Sequence, residues 1–286
     1  MALGLDEATT RALAGDATEL YALLSRSSGL PGERANLSLA SAFAESCASD
    51  TRAAVLATNM AKLEADAAPG GSPLEFIPLC GVLAAGSIAA RQPKARAAML
   101  QIIHDACDDL RFRVRDVVPD ALAKIGAREG DALLADLETF TEGYFHAAAL
   151  LRAMTSQAWL PQIADAEPAV RVLVRAFALA DSAPSSAERW PGYKALVEML
   201  ESSIAPLALR FGEPVFAAAA GFARTDDPHL RDSIKKALSS DKKLRARYPS
   251  ELASAMGALD AATKAPRDPR SLPRPTRKRG GGRRRQ

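Results

Sequence analysis

The chain has 286 residues, enough for one or two domains, and its 48% hydrophobic and 5% aromatic content predicts a core of alanine and leucine. Its net charge of +3 is unevenly distributed, because residues 264–286 carry ten bases and one acid whereas residues 1–263 carry 27 bases and 33 acids. Three cysteines without CxxC spacing exclude a disulfide framework, and no uncharged stretch is long enough to span a bilayer, so we expect a reduced, cytoplasmic protein without a membrane partner.

From the N-terminus, apolar residues recur at helical spacing and glycine or proline separates the segments, which predicts a series of helices. Residues 6–28 form the first helical unit, with a turn near Gly15, and the next helix is expected to begin at Pro31. Residues 74–91 are apolar on every side, so that helix should lie between neighbouring helices. Further helices are expected at residues 50–63, 93–107, 130–140, 144–154, 167–180, 190–209, 213–224, 228–238 and 249–263. Pro206 is expected to kink or break its helix.

The stretch at residues 108–127 predicts the architecture most clearly. Its apolar residues lie at i, i+3, i+4, i+7, i+8 and i+11, which is the buried stripe of an amphipathic helix. That helix is expected to be capped by Asp108 or Asp109 and to end at Gly126. The stripe consists of Val114, Val117, Val118, Ala121, Leu122 and Ile125.

A second copy of this pattern lies at residues 226–238, where a paired Asp, a Pro, an Arg and an apolar stripe recur in the same order. Both segments resemble the HEAT signature, in which an Asp and an Arg form a ladder from one helical pair to the next. The corresponding positions are Asp109 with Arg115 and Asp227 with Arg231.

The resemblance extends to bacterial HEAT-repeat proteins that are distantly similar to the DNA alkylation repair superfamily. It implies an all-α, right-handed α-solenoid over residues 1–263, in which the second helix of each pair lines an inner surface. For most of that group it implies a scaffold without an established reaction. The segments that carry it are residues 30–43, 75–81, 111–125, 192–203 and 225–238.

The C-terminal residues 264–286 are rich in Pro, Arg and Gly, which predicts a disordered basic tail able to contact nucleic acid. A second basic cluster precedes it, and the alternatives are a solvating tail and a solvated helix face. The candidate nucleic-acid contacts are Arg231, Lys235, Lys236, Lys242 and Lys243 in the helical part, and Arg277, Lys278, Arg279, Arg283, Arg284 and Arg285 in the tail.

The resemblance also suggests a sharper alternative, because HEAT-like alkylpurine glycosylases stabilise a cationic base between aromatic rings and a carboxylate. Candidates would be Trp159 with Asp165, or Trp190 with Tyr193 and Glu188. The spacing matches no transferable glycosylase motif, and tryptophan at a helix end commonly serves packing.

No catalytic residue, metal ligand or cofactor is assigned. His104 and Cys107 have HxxC spacing but lack a second ligand pair in the sequence, so both are interpreted as structural residues. The sequence contains no GxGxxG, GxxxxGK[ST], GxSxG or HExxH motif and indicates no small-molecule substrate.

These observations predict a non-catalytic HEAT-repeat scaffold that binds a protein partner and contacts nucleic acid through its tail. The alternative is a DNA-binding or DNA-repair protein of the HEAT-like glycosylase type. A scaffold should present a groove of mixed charge with exposed apolar residues, whereas a repair protein should present a continuous positive groove that holds an aromatic ring and a carboxylate.

Overall fold

A computed structural model describes residues 4–264, and this range contains α-helices and short 3-10 helices but no β-strand. The predicted all-α class is therefore confirmed. The predicted basic tail, apart from Lys264, lies outside the described residues.

The α-helices are numbered in chain order. They are α1 (Leu5–Leu13), α2 (Thr18–Arg26), α3 (Leu37–Cys47), α4 (Ala53–Ala61), α5 (Phe76–Arg91), α6 (Arg96–Ala106), α7 (Phe112–Asp116), α8 (Val118–Glu129), α9 (Ala132–Asp136), α10 (Tyr144–Met154), α11 (Ala166–Asp181), α12 (Pro191–Phe211), α13 (Glu213–Gly221), α14 (Pro228–Ser240), α15 (Lys242–Arg247) and α16 (Pro249–Lys264). The 3-10 helices are Pro73–Glu75, Glu138–Thr141, Leu160–Gln162, Ser185–Arg189 and Phe222–Arg224.

Consecutive long helices alternate between two rows. In the first row, α3, α5, α8, α10, α12 and α14 each contact the next member. In the second row, α4 contacts α6, and α9, α11, α13 and α16 contact one another in turn. The rows pack together because each amphipathic helix buries its apolar stripe against the other row.

Helix α5 lies at the centre of the N-terminal half, where it contacts α3, α4, α6 and α8. Every residue from Phe76 to Ala90 is buried, which confirms that this helix lies between neighbours. Gly86 permits the close approach of α8, because a Cβ at this position would lie 2.7 Å from the Cα of Ala121. By length and apolar composition, Pro73–Arg91 could cross a membrane, but 89% of its most apolar window is buried inside the protein.

The predicted helix at residues 108–127 is two helices, α7 and α8, which meet at Val117. Pro119 lies in the first turn of α8 and has no N–H to donate to the preceding turn, which explains the break. The expected end at Gly126 is also wrong. The helix continues to Glu129 and ends at Gly130, whose φ of +56° favours glycine.

The expectation that a helix begins at Pro31 is also wrong, and of the two outcomes expected at Pro206 the helix break does not occur. Pro31 lies in a turn after a cis peptide bond, and the helix begins only at Leu37, where the Asn36 side chain accepts from the Leu39 N–H at 3.2 Å. Asparagine is a strong N-cap and fixes this later start. Pro206 does not end its helix, because α12 continues through it to Phe211.

A recurring aspartate turn precedes many of the helices. In each case the carboxylate accepts from the backbone N–H two residues later, which satisfies one of the free donors at a helix start. The aspartates are Asp16, Asp50, Asp109, Asp165, Asp227 and Asp241. This turn occurs in both rows, where it favours the start of a helix by local hydrogen bonding.

Candidate functional site

A groove of about 380 Å³ crosses the first row between α7, α8, α10 and α12. Its position follows from the sequence of these helices. Alanines on α10 and α12 contribute small side chains to its lining, and phenylalanine and methionine contribute larger ones. The apolar lining residues are Cys107, Phe112, Pro119, Phe145, Ala148, Ala149, Ala195 and Met199.

Phe112 is the most exposed aromatic side chain of this lining. Its side chain is 58% exposed, although a phenylalanine gains most free energy when it is buried. The guanidinium of Arg113 lies 4.5 Å from its ring centroid and supports one side of the ring. Nearby Leu110, at 86% exposed, adds a second apolar side chain before α7. Exposed apolar groups that adjoin a groove are typical of an interaction surface.

The rim of the groove carries two bases and two acids. Arg152 forms an ion pair with Asp116 at 2.6 Å, and both side chains are at least half exposed. The guanidinium of Arg115 donates to the carbonyl of Asp109 and lies 4.7 Å from the Phe145 ring centroid. Glu198 is exposed on the α12 side. The rim therefore has mixed charge and no net positive potential.

Three of the repeat-signature residues, Asp109, Arg115 and Arg231, form side-chain contacts within their own turns. Asp109 accepts from Arg111 at 2.6 Å, and Arg115 donates to the backbone carbonyl of Asp109. Arg231 donates to the carbonyl of Thr225, so both signature arginines reach a carbonyl six residues earlier. The geometry of the two copies is therefore alike around the arginine.

Each of these two turns also contacts a segment that is distant in sequence. Arg111 donates to the carbonyl of Ala68 at 3.1 Å, and the Tyr193 hydroxyl donates to the Asp227 carboxylate. Burial, together with the bond to Asp227, raises the pKa of Tyr193 above its usual value. Asp109, through Arg111, and Asp227, through Tyr193, therefore connect segments that are distant in sequence.

The helical part of the predicted nucleic-acid contact is largely occupied by internal partners. Lys235 pairs with Asp260 at 3.0 Å, and Lys236 pairs with Glu201 at 2.5 Å. Lys242 and Lys243 are exposed on α15. With Arg231 bound to a carbonyl, the cluster is closer to a solvated, ion-paired helix face than to a continuous cationic patch. The candidates in the tail lie outside the described residues; they are Arg277, Lys278, Arg279, Arg283, Arg284 and Arg285.

The structure separates the first candidate pair, Trp159 with Asp165, and groups the second set around Tyr144, whose ring centroid lies 5.9 Å from that of Tyr193. Trp159 is fully buried, and its indole N–H donates to the carbonyl of Gly130 at 3.1 Å. Asp165 caps α11. Trp190 is 44% exposed beside Tyr144, whereas the Tyr193 hydroxyl is bound to a carboxylate. Trp159 therefore serves packing, whereas Trp190 is an exposed member of an aromatic cluster with Tyr144 and Tyr193.

His104 packs against His146, with ring centroids 4.2 Å apart, beside the ring of Phe140. His146 is 5% exposed, and neither of its ring nitrogens has a hydrogen-bond partner among the described residues. Burial lowers the pKa of His146, and the neighbouring His104 lowers it further. No group of three or more metal-ligating side chains occurs in the described part of the chain. This pair is therefore an imidazole contact between α6 and α10, in which His146 is the buried member.

Sequence reasoning missed a buried ion pair. Glu75 is fully buried, and its Oε2 accepts from Arg113 at 3.2 Å and from the Gly71 N–H at 2.6 Å. Arg113 also donates to the carbonyl of Gly32. Three of the segments that resemble HEAT-repeat proteins therefore converge here. The lone glutamate before the wholly apolar α5 was the available signal, since a charge in that position needs a partner.

No family model, curated protein or solved structure matches the chain. The resemblance to HEAT-repeat proteins therefore stays a prediction.

Proposed function

We propose that this chain is a non-catalytic helical scaffold, built as a right-handed solenoid of HEAT-like pairs, that binds a protein partner in its groove. The two rows of sequential helix contacts support the solenoid, because each helix packs mainly on its neighbours in sequence order. A tail-deleted protein of 263 residues should then have a radius of gyration above the roughly 18 Å expected of a compact globule of that length. Small-angle scattering measures this quantity, and a value near 18 Å would count against the solenoid.

The observation that carries the binding proposal is the combination of an apolar floor and a charge-balanced rim. Protein interfaces have apolar, aromatic-rich centres and polar rims, and they favour methionine and arginine. A groove for nucleic acid would need uncompensated bases along its length to neutralise phosphates. Here Arg152 is paired with Asp116, so that requirement is not met.

The basic tail supports a second, separable contact with nucleic acid, because six of its arginines and lysines occur in two short runs divided by three glycines. We do not propose base excision, because Trp159 is a core residue and the Tyr193 hydroxyl of the second candidate set is already bound to Asp227.

The binding proposal is tested by affinity capture with purified full-length protein and three variants. Phe112→Ser with Met199→Glu alters the groove, truncation after residue 263 removes the tail, and Val55→Ser changes an exposed apolar side chain, 67% exposed on α4, as the matched control. Nuclease treatment separates nucleic-acid bridges from direct contacts.

The scaffold function predicts protein partners that survive nuclease, persist with the control and tail-deleted proteins, and are lost with the groove variant. Partners that survive the groove change, or that vanish only with nuclease, would contradict binding in the groove. Because Phe112 and Val55 are both exposed, neither serine substitution should lower the unfolding midpoint by more than a small amount.

A further inference from the structure

We propose that the partner element bound in the groove is an amphipathic helix that carries a basic side chain facing Glu198. This inference rests on the proposed function and assigns the shape and charge of the bound segment. It follows from three properties of the groove, namely its floor, its backbone and its charge distribution.

The floor favours a cylindrical element with side chains on one face. The small side chains of Ala148 and Ala149 on α10 and Ala195 on α12 line it together with the larger side chains of Phe112 and Met199. At about 380 Å³ the groove can take the anchoring side chains of one helix face. Apolar residues at i, i+4 and i+7 of a partner helix have the spacing needed to fill such a trough.

The backbone of the groove offers no partner to an added strand. Its walls are the helices α7, α8, α10 and α12, whose interior N–H and C=O groups already bond within each helix. The described residues include no strand, so they offer no sheet edge on which a peptide could add a strand. A helix satisfies its own backbone groups internally, so it can lie over the alanines without backbone partners from the groove.

The charge distribution fixes the orientation of the partner. Asp116 and Arg152 neutralise each other, and Arg115 is held by a carbonyl and by the Phe145 ring. Arg115 and Glu198 belong to no ion pair within residues 4–264, and of these two only Glu198 is exposed. A lysine or arginine on the partner, next to its apolar face, would compensate this carboxylate, and electrostatic complementarity of this kind sets register.

The test uses a displayed library of 18-residue peptides. Four positions in each peptide are biased towards apolar residues, and the flanking positions vary among Lys, Glu and Gln. The library also includes peptides that contain helix-breaking residues. Full-length protein is the target, and the Met199→Glu variant is used for counter-selection. We expect enrichment of helix-forming peptides with apolar i, i+4 and i+7 residues and a base beside them. Selected peptides should bind Met199→Glu more than about tenfold more weakly.

Glu198→Lys should weaken these peptides by about three- to tenfold and should favour their Lys→Glu counterparts. Glu19→Lys, which changes an exposed acid on α2 outside the groove, is the control and should leave affinity unchanged. Groove-dependent peptides that are proline-rich or extended would overturn the helix assignment. Enrichment of acids, or equal affinity for the Glu198 variant, would overturn the charge assignment.

A failure of these selections is distinguishable from a failure of the proposed function. Capture of a natural partner that depends on Phe112 would still establish the groove as a binding surface, whatever the shape of the partner. Absence of any groove-dependent peptide would count against the helix proposal alone, because the capture experiment does not use peptides.

Discussion

Substituting Gly126 by alanine should destabilise the protein strongly, although the residue lies inside helix α8. A Cβ built at this position would overlap the indole ring of Trp159 at separations far below 3.0 Å, a distance that real Cβ atoms essentially never cross. Trp159 is fully buried, and its N–H is bound to the Gly130 carbonyl, so the ring cannot move without breaking this bond. Position 126 therefore needs glycine for packing.

The expected magnitude combines opposing effects. Alanine is favoured over glycine in a helix interior by about 1 kcal/mol. Against this, overpacking costs about 1–3 kcal/mol, and a displaced buried indole leaves its donor and acceptor unpaired at a further cost of about 1–3 kcal/mol. We therefore expect Gly126→Ala to lower the free energy of unfolding by about 1–5 kcal/mol, with a central value of about 3 kcal/mol.

The matched control is Gly257→Ala, because Gly257 also lies inside a helix, α16, and a Cβ there meets nothing within 4 Å. This variant should be stabilised by about 0.5–1 kcal/mol. Denaturant unfolding followed by tryptophan fluorescence compares both variants, and the emission of Trp159 should shift to longer wavelength in Gly126→Ala. If Gly126→Ala is as stable as the wild type, the packing of α8 against Trp159 described above is wrong.

Three further outcomes are expected. Glu75→Ala should cost about 3 kcal/mol, because it leaves Arg113 without its buried carboxylate. Arg91→Ala, which breaks an exposed pair, should cost less than about 1 kcal/mol in the same denaturation assay. The lowered pKa of His146 means that the unfolded chain takes up a proton first as the pH falls below about 6.5, so the melting temperature should fall there. His146→Gln should reduce this pH dependence, and an unchanged slope would contradict the assignment. A thiol-specific reagent at pH 8 should label no cysteine until the protein unfolds, because all three are buried and burial raises the pKa of Cys47 to about 12 and the pKa values of Cys80 and Cys107 also.

The sequence by itself determined where most helices lie and which faces they bury. Helix α10 spans the predicted residues 144–154, and all six residues of the stripe at 114–125 are buried. Local patterns were sufficient because helical periodicity and capping involve residues only a few positions apart. They failed at Pro31 and Gly126, where a turn and a distant tryptophan outweigh the local preference.

Only the tertiary structure decided which side chains meet across the helices. The bond between Glu75 and Arg113 joins residues 38 positions apart, and the groove collects Phe112, Phe145 and Met199 from separate helices. Likewise, Lys236, a residue of the predicted basic cluster, forms an ion pair with Glu201 on another helix. Periodicity reports that a helix has a buried face but not which helix covers it, so partners distant in sequence become known only from the packing.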